Sequence, residues 1–259
     1  TAFGDIYHSS SGNKQLLNYT GVALANGVLP GGGSARSDLT AALDNVFKHP
    51  NVGPFLARRL IQRLTTSNPS PAYVGRVAAV FNNNGSGVRG DLGAVARAIL
   101  LDPEVRVAAQ TPANFGKLRE PLLRITQLWR GLDAHSINGR INEGWPEFYS
   151  AQAVQRSPTV FNFFLPSYQL PGEIAALGLD SPEFQITTDT YITRLTNELG
   201  GKIYWAWVGN PDLGTWDPVQ VDLNRDLPLA TSPADLIARY NLLFMGGRMS
   251  DFMRTTLVA

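Results

Sequence analysis

HPNVGPFLARRLIQRLTTSNPSPAYVGRVAAVFNNNGSGVRGDLGAVARAILLDPEVR, residues 49–106, decides the fold class. Its apolar residues recur at three- and four-residue steps, and each run opens on a residue that starts helices. Asn51 can cap the first run, which has Pro54 in its first turn and Phe55, Leu56, Leu60, Ile61 and Leu64 as its stripe. Arg58, Arg59 and Arg63 lie mostly off that stripe, as a small solvated face. Ser70-Pro71 opens a second run through Tyr73, Val74, Val77, Ala78 and Phe81, and Asp91 a third with Leu92, Val95, Ile99 and Leu100 inward. Asp102-Pro103-Glu104 starts a short fourth.

Outward from this block the helical reading continues. Ser37 is expected to cap a helix through Phe47, with Leu39, Leu43 and Val46 on one face. His49-Pro50 ends it, because a residue before proline avoids the α region. Residues 1–33 read as an irregular lead-in with a short strand near Leu16–Tyr19. Lys117–Leu132 reads as a helix with Pro121 about a turn inside it. A strap stiffened by Pro158, Pro166 and Pro171 follows, in which Phe161, Phe163 and Phe164 are expected to staple helices together. The next helix is expected over Ser181–Leu199, closed by Gly200-Gly201, and another from Ser232 to Met245, ended by Gly246-Gly247. Residues 203–223 read as a hairpin or an irregular connection. The expected architecture is mainly α: an irregular multi-helix globular domain with long Pro-rich connections and at most one small β-hairpin. One domain over 1–259 is expected, divided into the lead-in 1–33, a helical bundle at 34–132, a Pro/aromatic strap at 133–180, and helices at 181–259.

Composition narrows the class. The 259 residues are 44% hydrophobic and 17% charged, a globular balance. A formal net charge of +1 provides no field to recruit nucleic acid. Without cysteine there are no disulfides and no thiolate metal sites. No apolar run reaches the ~18 residues of a membrane span, and the first residues carry no signal-peptide pattern. Both ends read as cut: Thr1 opens the chain, and a helical pattern from Ser250-Asp251 stops at Ala259 with no C-cap. The expectation is a piece of a longer polypeptide.

The block at 49–106, Leu118-Arg119-Glu120-Pro121, RSPTVFNFFLPSYQLPG at 156–172 and SPEFQITTDT at 181–190 occur in one order along the chain. Together they resemble the bacterial family known as domain of unknown function 1800, and the likeness covers nearly the whole chain. The resemblance implies that this chain is the C-terminal half of a longer protein, and that the missing N-terminal half carries histidine- and Asn-Glu-rich phrases. It implies export to the periplasm or beyond, beside a co-encoded exported protein resembling sulfatases. It carries no established reaction. Where members commonly show His-Asp before a Gly-Lys segment, this chain has His8-Ser9.

Site candidates are few. Gly85-Ser86-Gly87-Val88-Arg89-Gly90 fits a dinucleotide fingerprint, but a helix precedes it where a strand is required, so it reads as a helix–helix loop. No HExxH or GxSxG is present, and no metal ligand set is assigned; no cofactor is identifiable, and the resemblance leaves room for a metal in the missing half. His8, in an irregular Tyr-His-Ser stretch, is a catalytic candidate, whereas His49 reads as a helix terminus. Asp189 is a second catalytic candidate, because Thr187, Thr188, Asp189 and Thr190 would place poor helix formers in mid-helix. Arg156, Asn162 and Gln185 are binding candidates as polar groups in an apolar strap, and Trp145 as a stacking surface for sugar rings. Trp129, Trp205, Trp207 and Trp216 read as core or further platforms. Two functions stay open: action on an envelope or extracellular polysaccharide, with the site completed by the missing half, or a non-catalytic scaffold or binding subunit.

Overall fold

Capping residues and prolines set where several of the helices begin. The computed structural model, which describes residues 5–107, 110–136, 139, 141, 145–204, 219 and 221–258, holds eleven α-helices and one two-stranded sheet among the described residues. The chain forms two compact units, Thr1–Lys117 and Leu118–Ala259.

In the first unit, β1 (Lys14–Gln15) pairs antiparallel with β2 (Val28–Leu29), Lys14 opposite Leu29. The strand expected near Leu16–Tyr19 thus lies slightly earlier. Helices α1 (Ala35–Lys48), α2 (Val52–Leu64), α3 (Pro71–Asn82), α4 (Leu92–Leu101) and α5 (Pro103–Arg106) follow. Ser70 Oγ accepts from Tyr73 N at 3.0 Å and Asp91 Oδ1 from Ala94 N at 3.0 Å, so both expected caps form. Asn51 precedes α2 in a helical conformation and makes no side-chain cap. Ala57 and Ile61 of α2 meet Tyr73, Val77 and Phe81 of α3 and Val95 and Ile99 of α4 in a closed core. Residues 85–90 form the helix–helix loop: Asn83 Oδ1 accepts from Gly85 N and Gly87 N, both at 2.9 Å. Gly90, at φ 81°, stands where a Cβ would lie 2.7 Å from the Phe47 ring.

Helix α1 departs from expectation. Its cap is Ser34, whose Oγ accepts from Ser37 N at 3.2 Å, so Ser37 lies in the first turn. Leu39, Leu43, Val46 and Phe47 are exposed, while Asp38 and Asn45 are buried. The reason is the lead-in, whose main chain needs partners: Asn45 bonds Leu17 N and Leu17 O at 3.1 and 3.0 Å, and Tyr19 Oη donates to Asn45 O at 2.7 Å.

The second unit holds α6 (Pro121–Gly131), α7 (Pro146–Ser150), α8 (Glu173–Ala176), α9 (Asp189–Tyr204), α10 (Pro233–Met245) and α11 (Asp251–Val258). Ile125 and Trp129 of α6 pack with Tyr149 of α7 and Leu195 of α9. Pro121 is the first residue of α6, not a turn inside it, because its missing N–H costs nothing there. The helix expected over 181–199 is two elements, a 3-10 helix at Pro182–Ile186 and then α9. Helix α9 continues through Gly200-Gly201, bridged by a Glu198–Lys202 ion pair at 3.2 Å, with the Lys202 ammonium 5.4 Å from the Trp129 ring. Ile203 is therefore helical, and most of the hairpin expected at 203–223, with Trp205, Trp207 and Trp216, lies outside the described residues. In the strap Phe164 is buried but Phe161 is exposed, so the three phenylalanines do not act alike. Gly246 ends α10 at φ 61°.

Candidate functional site

His8 does not stand alone. Its Nε2 lies 3.0 Å from Asp38 Oδ2, and Lys14 Nζ lies 2.7 Å from the same oxygen. Asp38 reaches them from the first turn of α1, and Lys14 from β1. Asp38 is buried, and the Lys14 ammonium holds its carboxyl below the ordinary value, aided by His8. An ionised Asp38 only accepts, so His8 donates to it from Nε2. Gly33 permits the approach, because a Cβ there would stand 2.0 Å from Asp38 Oδ1. Sequence reading found His8 but not Lys14 or Asp38. The signal for Asp38 was present as an acid on the polar face of an amphipathic helix, which by itself reads as solvated.

In the second unit a cleft of about 1000 Å³ opens beside α6 and the start of α7. Trp129 and Arg130 come from α6, Asp133 from the turn after it, and Trp145 and Glu147 from the start of α7; Val154 and Arg156 close it. Trp145 sits on the rim, 76% exposed. Arg156 Nη1 donates to Glu147 Oε1, while Glu147 Oε2 is buried and accepts nothing from the described residues. Asp133 pairs with Arg225 at 2.7 Å.

Backbone strain gathers around this cleft. Six non-glycine residues among those described take positive φ. Asp133 (45°) and Trp145 (53°) line the cleft, and Ala151 (55°) and Gln155 (59°) flank Ala153, Val154 and Arg156, which also line it. Such conformations persist only where their surroundings hold them, and they concentrate at binding and catalytic sites. Here Gln152 is the clamp: its Oε1 accepts from Leu122 N at 3.1 Å and its Nε2 donates to Glu120 Oε2 at 2.9 Å. Ser150 Oγ donates to Pro146 O at 2.6 Å, and Arg194 stacks 4.4 Å from the Phe148 ring, so α7 is held on both sides.

The other candidates fall elsewhere. Asp189 is exposed at the first residue of α9, where an acid offsets the helix dipole. The mid-helix polar cluster that singled it out is a helix start, with Thr188 O accepting from Ile192 N at 2.8 Å. Asn162, at φ 75°, closes a turn with Thr159, whose Oγ1 donates to Asn162 O at 3.2 Å. Gln185 Oε1 accepts from Leu165 N at 2.7 Å and ties the strap to the 3-10 helix. Trp145 and Arg156 therefore share the cleft, and Glu147, Asp133 and Gln152 are what sequence reading missed. Glu147 follows a Trp-Pro pair and reads as an ordinary helix-start acid.

Among the described residues no three His, Asp or Glu side chains are placed to hold a metal ion, and no helix is long and apolar enough to cross a membrane. No curated protein and no solved structure matches the chain. A family profile, described as Protein of unknown function (DUF1800), matches residues 4–259. With its helices and its recognisable phrases inside that match, the chain belongs to this family of unknown function.

Proposed function

We propose that this is an exported bacterial protein, periplasmic or extracellular, that binds or acts on an envelope or extracellular polysaccharide. The observation that carries the reading is the strained cleft around Trp145, where a rim indole beside paired polar groups suits a sugar ring. The His8–Asp38–Lys14 cluster supplies a carboxylate-oriented imidazole for proton transfer, in a reactive centre completed by the missing N-terminal half. A metal held by that half is part of the same reading. Co-sedimentation of the purified protein with insoluble polysaccharide from bacterial envelopes is expected. Failure to sediment with any such preparation overturns the reading.

A second reading, a non-catalytic scaffold partnering a co-encoded exported sulfatase-like protein, is favoured by α1, which turns Leu39, Leu43 and Val46 outward. It predicts stable co-purification with that partner. A protein that elutes alone after co-expression sinks it.

A further inference from the structure

Resting on the polysaccharide reading, we infer that the Trp145 cleft takes a neutral, hydroxyl-rich glycan and rejects acidic ones. Trp145 is held in a left-handed conformation (φ 53°, ψ 48°), with Pro146 after it and its carbonyl accepting from Phe148 N at 3.0 Å. On a backbone fixed in this way an indole, with only two side-chain torsions, offers a flat face at modest entropic cost to binding, and the C–H face of a pyranose matches it. In the same cleft Glu147 and Arg156 form one acceptor–donor pair. Glu147 Oε2 is buried without a donor among the described residues. That oxygen is sealed off, so a sugar hydroxyl donates at the Oε1 side of the pair, where the Glu147 side chain is 37% exposed and that of Arg156 68%. The neighbouring hydroxyl accepts from Arg156. Two adjacent hydroxyls thus meet one carboxylate and one guanidinium, with the ring stacked on Trp145.

Charge decides between neutral and acidic glycans. In the cleft Arg156 is already paired with Glu147 and Asp133 with Arg225, so an incoming anion has to compete with a resident carboxylate for Arg156. A uronate or sulfate reaching for Arg156 must displace Glu147 and then lie beside it. Two anions in a partly desolvated cleft repel, and the displaced carboxylate is left without its partner. Glu147 therefore acts as the specificity residue, accepting from hydroxyls and repelling acids. The volume of about 1000 Å³ suits several rings and not one.

The test is binding of the intact chain to an array of neutral glycans (glucans, mannans, xylans, galactans) and acidic ones (alginate, pectate, sulfated galactans). Wild type is expected to bind neutral members, and Trp145→Ala to weaken that binding about tenfold. Glu147→Gln, which weakens an acceptor of the sugar hydroxyl, is expected to lower neutral binding by about threefold or more and to gain acidic binding; no gain of acidic binding in the folded variant overturns Glu147 as the specificity residue. Circular dichroism melting of each variant verifies folding, and Trp145→Phe, which keeps a ring, is expected to restore most of the binding. Binding of acidic glycans alone by wild type overturns the neutral assignment and leaves the polysaccharide reading standing. Binding to neither class overturns both. Neutral binding unchanged in a folded Trp145→Ala variant overturns the cleft as its site.

Discussion

At the scale of single residues, the buried polar groups do work that their types alone do not reveal. Asp38 joins His8 and Lys14 through one oxygen, and its carboxyl is held below its ordinary value of 3.8, chiefly by Lys14. A carboxyl lowered on folding contributes stability that is complete above its unfolded value and is lost as pH falls through the lowered one. Thermal melting is expected to show a steep loss below about pH 4 in wild type and a shallower one in Asp38→Asn, whose baseline stability is lower at neutral pH. Equal acid slopes in the two proteins contradict the ion pair. Gln152 is legible in the sequence only as one polar residue in a loop. Its two bonds fasten the strained turn to α6, so Gln152→Ala is expected to cost about 1–3 kcal/mol, measured by urea unfolding, and to weaken ligand binding at the Trp145 cleft.

At the scale of elements, a helix boundary was legible where one local bond sets it. Ser70 and Asp91 cap the helices they were expected to cap, because a capping bond is local and needs no partner from elsewhere. The junction of α4 and α5 shows what local reading omits. Arg76 of α3 donates to both Asp102 oxygens at 2.8 Å and to Glu104 Oε1 at 3.0 Å, and these bonds, chiefly those to Asp102, push its pKa further up. Asp102 also caps α5 through Glu104 N at 3.0 Å. Asp102→Ala removes a bidentate pair and a cap together, and is expected to lower stability by about 2–4 kcal/mol in chemical denaturation. A loss under about 1 kcal/mol would mean the pair is solvent-screened, since Arg76 is itself partly exposed. The end of α9 was misread for the complementary reason: Gly200-Gly201 is a stop signal locally, and the ion pair and indole contact across it carry the helix on.

At the scale of the whole molecule, two compact units each bury their own core, and the surface of the first is unusual in one place. Helix α1 has an apolar stripe that periodicity assigns to a core, yet it is the polar side that is buried. Leu43→Glu is therefore expected to leave the melting temperature nearly unchanged, as for an exposed site, while disrupting any partner complex made through this face. Unaltered co-purification in Leu43→Glu excludes α1 as the contact surface.

By itself, the sequence determined the mainly α class, the starts of its best-capped helices, the loop at 85–90 and the family phrases, because periodicity, capping and turn chemistry act within a few residues. It also marked Trp145, Arg156 and His8 as separate candidates. Only the tertiary structure decided that Trp145 and Arg156 share a cleft with Glu147 and that His8 meets Lys14 and Asp38. Which side of α1 is covered was likewise beyond periodicity, since that depended on the lead-in's need for hydrogen-bond partners. The Glu147–Arg156 pair, the His8–Asp38 contact and the covered side of α1 rest on groups nine or more positions apart meeting in space, and no local rule encodes such meetings.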